Sequence, residues 1–197
     1  MRPQREISFR TLRKMDIRRK VIDILCASDA TDAFVDKLLL KSLSSDSISG
    51  DERRRLTELI KGVTRWKLKL DWIITQLYHR NFDKMEHRLK NILRLGIYQI
   101  LFMNSVPDYA SVHDSVRLAR EFRGQKAGAL VNGILRSFQR ESGAIFSKIE
   151  ALPPDERISI KFSHPLWLIR RWLNRFGEEQ TIRLCETNNS QPSLTLR

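Results

Sequence analysis

The segment RLKNILRLGIYQILFMNSVP, Arg88 to Pro107, constrains the fold more than any other part of the chain. Leu89, Ile92, Leu93, Gly96, Ile97, Ile100 and Leu101 recur at spacings of three and four, the periodicity of one helix face. Leu95, Tyr98, Phe102 and Met103 fill much of the remaining circumference. A helix apolar on most sides must be covered on most sides. The pattern therefore predicts a central helix over 88–106 with other helices wrapped around it. Gly96 costs such a helix about 1 kcal/mol relative to alanine, which predicts close approach of a neighbour at that point. Pro107 should end the helix, because its ring lacks an N–H and disfavours helical geometry in the residue before it.

The polar remainder is strongly basic. Lys+Arg 36 against Asp+Glu 23 gives a net charge of +13 and a pI near 10.3. That charge favours contact with nucleic acid or an anionic membrane. No apolar run reaches the ~18 residues of a bilayer span. The basic N-terminus is not followed by an uninterrupted apolar segment, so no secretory signal is read. Cys26 and Cys185 lie far apart without a CxxC partner, which fits a reduced, cytoplasmic protein and offers no zinc site. Nucleic acid is the leading partner class, with no membrane expected.

Residues 1–20 concentrate the charge: Arg2, Arg5, Arg10, Arg13, Lys14, Arg18, Arg19 and Lys20 stand against Glu6 and Asp16. They read as a mobile arm that binds phosphate by Coulomb attraction and counterion release. The first helix is expected from Asp16 to Ala27, with Ile17, Val21, Ile24 and Leu25 inward and Arg18, Arg19 and Lys20 towards solvent. A second helix should bury Phe34, Leu38, Leu39 and Leu43. After a loop over 42–50, Ser49 and Glu52 have capping-box spacing. One long helix is then expected up to His79, with Gly62 at a tight crossing that could divide it. Arg53, Arg54, Arg55, Lys61, Arg65, Lys67 and Lys69 decorate it around Trp66. A basic face with an aromatic suits RNA, although Trp66 itself reads as core.

Asp83 and Glu86 repeat the capping spacing ahead of the central helix. Further helices are expected over Asp108–Arg120 and Ala127–Arg140, separated by a turn at FRGQ (122–125). Asn132 should hydrogen-bond the preceding connection. Arg94 and Arg136 should tie helices together or point into a groove. Ser142 and Gly143 should end this unit. Pro153-Pro154 reads as a connection, Ser163-His164-Pro165 as a helix start, and Gly177 as the divide between two more helices. Residues 192–197 alternate like the first strand of a sheet.

No catalytic constellation is visible. His79, His87, His113 and His164 lack metal-ligand spacing, and none has a convincing nucleophile partner. The glycines are scattered singly, without a phosphate loop. Cys185 reads as an inert structural thiol.

Residues 17–140 resemble the NusB-like helical domain through GVTRWKLKLDWII (62–74), RLGIYQILFMNSVPDYASVHDSV (94–116) and ALVNGILR (129–136). Within that superfamily the wording is similar to the N-terminal domain of the rRNA cytosine-5 methyltransferases known as RsmB, Sun or Fmu. SHPLWLIRRWLNRFG (163–177) and CETNNSQPSLTLR (185–197) are similar to the linker and opening subdomain of those enzymes. The resemblance implies an all-α, NusB-like bundle over 17–143 around the 88–106 helix, preceded by the basic arm 1–20. An incomplete helical subdomain over 144–197 follows. It implies ribosomal RNA as partner, with a ribosomal protein as a further one. It also implies S-adenosylmethionine as the cofactor of the whole enzyme and none in this chain. The family's Pro-Cys and cofactor-loop motifs do not occur here, so no catalytic residue is carried over and the chain reads as a fragment without activity of its own. Location and charge nominate Arg10, Arg13, Arg18, Arg19, Lys20, Lys61, Arg65 and Lys67 for RNA contact. A stand-alone transcription antitermination factor and a helical protein–protein adaptor are the competing readings.

Overall fold

The computed structural model describes residues 6–31, 34–44 and 49–190, with side chains from Ile17 onward. Among these residues the chain is helical without strands. The elements are α1 (Glu6–Thr31), α2 (Val35–Leu43), α3 (Gly50–Arg65), α4 (Lys67–Leu77), α5 (His87–Phe102), α6 (Asp108–Glu150), α7 (Pro154–Phe162) and α8 (Leu166–Asn189).

The apolar segment is the centre of the fold. Leu89 to Gln99 of α5 are buried without interruption, and α1, α3, α4 and α6 pack around them. A Cβ on Gly96 would lie 2.9 Å from Ser115 Oγ and 3.0 Å from Leu135 Cδ1, both on α6. The close approach that a mid-helix glycine predicts is therefore made by α6. The ends of α5 differ from expectation. Met85 N–H bonds the Phe82 carbonyl in a turn, so Glu86 becomes the residue before the helix instead of Asp83. Met103 leaves helical geometry at φ −118, and Pro107 begins α6, its carbonyl accepting from Ala110 and Ser111. The proline starts the next helix, and the turn at Met103–Val106 ends this one.

α1 is 26 residues long and starts at Glu6, so most of the expected arm is helical; residues 1–5 lie outside the described residues. Val21, Ile22 and Leu25 are its buried face. Phe34 precedes α2 and is 76% exposed, leaving Leu39 to enter the core. The Ser49–Glu52 capping box forms, with Ser49 N–H donating to Glu52 Oε2 at 2.9 Å. The expected long helix is divided at Trp66 (φ −94, ψ 10) into α3 and α4, and Gly62 is the crossing point beneath the Tyr98 ring.

The FRGQ turn interrupts α6 at Arg123 and Gly124. Gly124 has φ 74, a conformation open to glycine and strained for other residues. Ser142 and Gly143 do not end the helix: Ile145 and Ile149 continue its buried face to Glu150. Asn132 and Arg136 lie on the solvent side of α6, correcting their expected places beside the core. The Pro153-Pro154 pair opens a helix the periodicity did not predict, α7, with Pro154 at its first turn. α8 follows Pro165 and is divided at Gly177, φ 76. Ile158, Ile169 and Cys185 form a small second core between α7 and α8. Burial pushes the Cys185 thiol up to about 11, so it is an inert structural thiol. The strand expected over 192–197 lies outside the described residues.

Candidate nucleic-acid interface

The helical period of α3 turns Leu56, Leu59, Ile60 and Val63 into the core and leaves Arg54 and Lys61 exposed. Because Gly62 has no side chain, the Tyr98 ring of α5 reaches α3 directly. Between the two helices lies an open groove of about 740 Å³, lined by Arg53, Arg54, Lys61 and Arg65 on one side and Tyr98 and Phe102 on the other. Phe102 is 37% exposed. It stacks on Trp66 at 4.8 Å between centroids and lies 5.2 Å from Tyr98. Lys69 Nζ sits 5.2 Å from the centre of the Trp66 ring, within cation–π range. Burial, with Lys161 nearby, lowers the Lys69 pKa. The exposed cations are only loosely held: Arg54 pairs with Asp51 at the surface, and Lys61 Nζ is 3.7 Å from Asp36. Such surface pairs contribute about 0–1 kcal/mol, so both cations can exchange carboxylate for phosphate. The groove thus combines phosphate-pairing cations with an aromatic floor on which bases can stack.

The residues nominated from sequence fall in different places. Arg10 and Arg13 lie in α1, and their side chains are outside the described ones. Arg18 does not face solvent: it is 5% exposed, and its Nη1 donates to Asp114 Oδ2 at 2.8 Å. Burial lowers its pKa against the opposing pull of Asp114. Arg19 is exposed and bonds Glu121 at 2.7 Å, while Lys20 is half-buried. Lys61 and Arg65 share the groove. Arg65 Nη1 also donates to the Asn189 carbonyl at 3.0 Å, at the end of α8. Lys67 Nζ bonds Asp29 Oδ1 at 2.6 Å. Sequence reasoning left Arg53 and Arg54 among the decorating cations and assigned Tyr98 and Phe102 to the core. The signal that could have found the groove is Gly62, which lets α5 aromatics approach a basic helix.

Arg94 belongs to the scaffold. Its Nε and Nη2 grip Asp71 at 2.6 and 2.8 Å, and its Nη1 donates to Asp29 at 2.9 Å and Asn91 at 2.8 Å. This network joins α1, α4 and α5. Burial alone would raise the Asp29 pKa, but Lys67, Arg94 and Asn91 together hold it below the usual carboxylate value. A second link joins α7 to α4: Ser163 Oγ accepts from the Leu68 N–H at 3.1 Å and the Lys69 N–H at 3.3 Å.

Among the described residues no three His, Cys, Asp or Glu side chains gather into a metal site. No helix of the described residues is long and apolar enough to cross a membrane.

Residues 164–197 match the ferredoxin-like domain of RsmF/B-like methyltransferases, and residues 2–140 match the NusB family. The chain is 32% identical over 187 residues to a probable ribosomal RNA small subunit methyltransferase B of Bacillus subtilis, covering 94% of this chain and 41% of that protein. It is 33% identical over 197 residues to the protein of the same name from Synechocystis, covering 98% and 40%. The chain therefore spans about two fifths of the length of these relatives. Among solved structures, NusB in the complex of antitermination factors NusB and NusE with double-stranded RNA aligns at TM-score 0.58 and 23% identity, over 64% of this chain and 96% of that one. Thermotoga maritima NusB aligns at TM-score 0.60 and 19% identity, over 64% and 90%. The helical bundle around α5 and the sequence match over most of the chain agree: this chain belongs to the NusB family.

Proposed function

We propose that this chain is the RNA-binding, substrate-positioning part of an S-adenosylmethionine-dependent small-subunit (16S) rRNA cytosine-5 methyltransferase of the cytoplasm. The observation that carries the reading is the groove between α3 and α5, where Arg54 and Lys61 flank the partly exposed Phe102. The likeness of nearly the whole chain to relatives named as probable ribosomal RNA small subunit methyltransferase B, and of residues 164–197 to the ferredoxin-like domain of RsmF/B-like methyltransferases, supports it. So does the docking of α7 and α8 on the same bundle through Ser163 and Arg65. Cofactor binding and methyl transfer are assigned to the part of the relatives that this chain does not span. A ribosomal protein is a further partner on this reading, since NusB is found with NusE on RNA in a solved complex of the same fold.

Filter binding with small-subunit rRNA fragments tests the proposal. Affinity should fall linearly on a log–log plot against salt, and Lys61→Glu or Arg54→Glu should each reduce the slope by roughly one phosphate equivalent. Absence of binding at low salt, or binding indifferent to salt, sinks it. The likeness of the bundle to NusB favours a second reading, a stand-alone antitermination factor. Recovery of a ribosomal protein and elongation factors in a pull-down, with residues 144–197 dispensable, would establish that reading instead.

A further inference from the structure

Arg65 serves two parts of the molecule at once. It lines the groove between α3 and α5, and its Nη1 donates to the Asn189 carbonyl at 3.0 Å, across 124 residues of chain. Asn189 is the last residue of α8, and its carbonyl is among those that a helix end leaves without an intrahelical donor. A cation placed there meets both the orphan carbonyl and the negative end of the helix. Asn189 is tied through its side chain as well: Nδ2 donates to the Phe162 carbonyl at 2.9 Å, where α7 ends. Arg65 thus holds the last turn of α8, inside the segment 164–197 that matches the RsmF/B ferredoxin-like domain.

The rest of this guanidinium is open. Nε and Nη2 of Arg65 have no hydrogen-bond partner among the described residues, and neither is buried. These two nitrogens form the fork that takes a pair of carboxylate or phosphate oxygens. Arg94 uses the same two atoms on Asp71, at 2.6 and 2.8 Å. A lysine in this place would have a single ammonium for both tasks. We infer that Arg65 is a positioning residue: Nε and Nη2 take one phosphate of an RNA strand in the groove while Nη1 keeps hold of the Asn189 carbonyl, which sets the strand against the end of α8. Each partner immobilises the side chain for the other, so the two contacts favour each other reciprocally. RNA in the groove then orders the last turn of α8. The inference rests on the RNA-binding reading above and adds to it the contact that places bound RNA relative to the methyltransferase-like segment.

Hydrogen exchange of the whole chain, with and without a single-stranded oligoribonucleotide, tests it. The amides of residues 187–190 report the last turn of α8, where Ser190 N–H donates to the Glu186 carbonyl at 2.9 Å. Saturating RNA should slow their exchange by roughly twofold to tenfold, the worth of one hydrogen bond. Arg65→Lys keeps the charge and should lose at most roughly tenfold in RNA affinity. In that variant saturating RNA should leave exchange at 187–190 unchanged. Arg54→Glu removes a groove cation whose described partner is Asp51, so it should weaken RNA binding yet retain the slowing at saturation. A purely structural Arg65 gives the same exchange at 187–190 with and without RNA, and a phosphate that draws Arg65 away from Asn189 gives faster exchange. Either result with RNA bound overturns the bridge and leaves RNA binding standing. Slowing that survives Arg65→Lys also overturns it. Failure of the oligonucleotide to bind at low salt overturns both readings. The measurement on the unsubstituted chain needs no variant and decides the matter even where Arg65→Lys does not fold.

Discussion

Ser163 Oγ accepts the N–H of Leu68 at 3.1 Å across 95 residues of chain. The first N–H groups of a helix lack intrahelical partners, and Trp66, at the cap position of α4, has no side-chain oxygen to offer them. Ser163, held at φ 59 where α7 ends, supplies that oxygen from outside. It caps α4 and fastens α7 to it in one contact. Ser163→Ala should cost about 0.5–2 kcal/mol, as cap removal does. Thermal melting would show the loss, and hydrogen exchange should quicken at the Leu68 and Lys69 amides. Unchanged exchange at those amides would show that the cap contributes nothing.

Arg94 is the opposite kind of cation from Arg19. Its side chain is 5% exposed and it holds two carboxylates, Asp29 and Asp71. Removing one member of a buried pair leaves the others uncompensated, at about 3–5 kcal/mol. Arg94→Met should therefore lower the urea midpoint severely. Arg19→Ala breaks only an exposed pair with Glu121 and should cost less than about 1 kcal/mol. Similar losses in the two variants would contradict the assignment of Arg94 to the scaffold.

What could be read in advance follows from range. The central helix is legible because its burial is written in a continuous local period from Leu89 to Gln99. The breaks at Gly124 and Gly177 are legible because glycine marks positive φ locally. Arg18 was not: its burial depends on Asp114, which no local pattern ties to it. Arg65 and Lys67 likewise find Asn189 and Asp29 far along the chain. The groove was half legible. Lys61 follows from the polar face of α3, but apolar periodicity cannot tell that Phe102, at the end of a buried face, emerges at the surface.

The carboxyl of Asp29 yields a pH dependence. Folding lowers its pKa, so the folded chain takes up this proton at lower pH than the unfolded chain. The stabilisation is complete above the unfolded value of about 3.9 and is lost as pH falls through the folded value. Urea midpoints of the parent and Asp29→Asn should differ at about pH 6, and the gap should narrow progressively as pH falls below about 3.9. A gap that persists undiminished in acid would show that Asp29 acts through packing alone.

Gly62 sets the separation of α3 and α5. A methyl there would collide with the Tyr98 ring, whose movement is limited by burial at 7% exposure. Gly62→Ala should destabilise the chain by about 1–3 kcal/mol through overpacking. Tyr98→Leu removes the ring atoms in the way, so the double variant should be more stable than the sum of the two losses predicts. A double-mutant cycle by chemical denaturation measures that coupling. Strict additivity would place the constraint on Gly62 elsewhere.

Phe102 separates stacking from charge within the groove. It stacks on Trp66 at 4.8 Å, yet 37% of it remains open beside Lys61 and Arg65. Stacking on an aromatic is worth about 1–3 kcal/mol per base in single strands, whereas the bases of a duplex are already stacked on each other. Phe102→Ala should therefore weaken single-stranded RNA by roughly fivefold to a hundredfold and duplex RNA far less. Because no charge is removed, the dependence of affinity on salt should stay the same. The comparison needs both RNAs titrated at two or more salt concentrations, with melting curves to confirm that the variant is folded. Equal loss on both RNAs would mean that Phe102 only supports the groove wall, and that the phosphate-pairing cations of α3 act without a stacking floor.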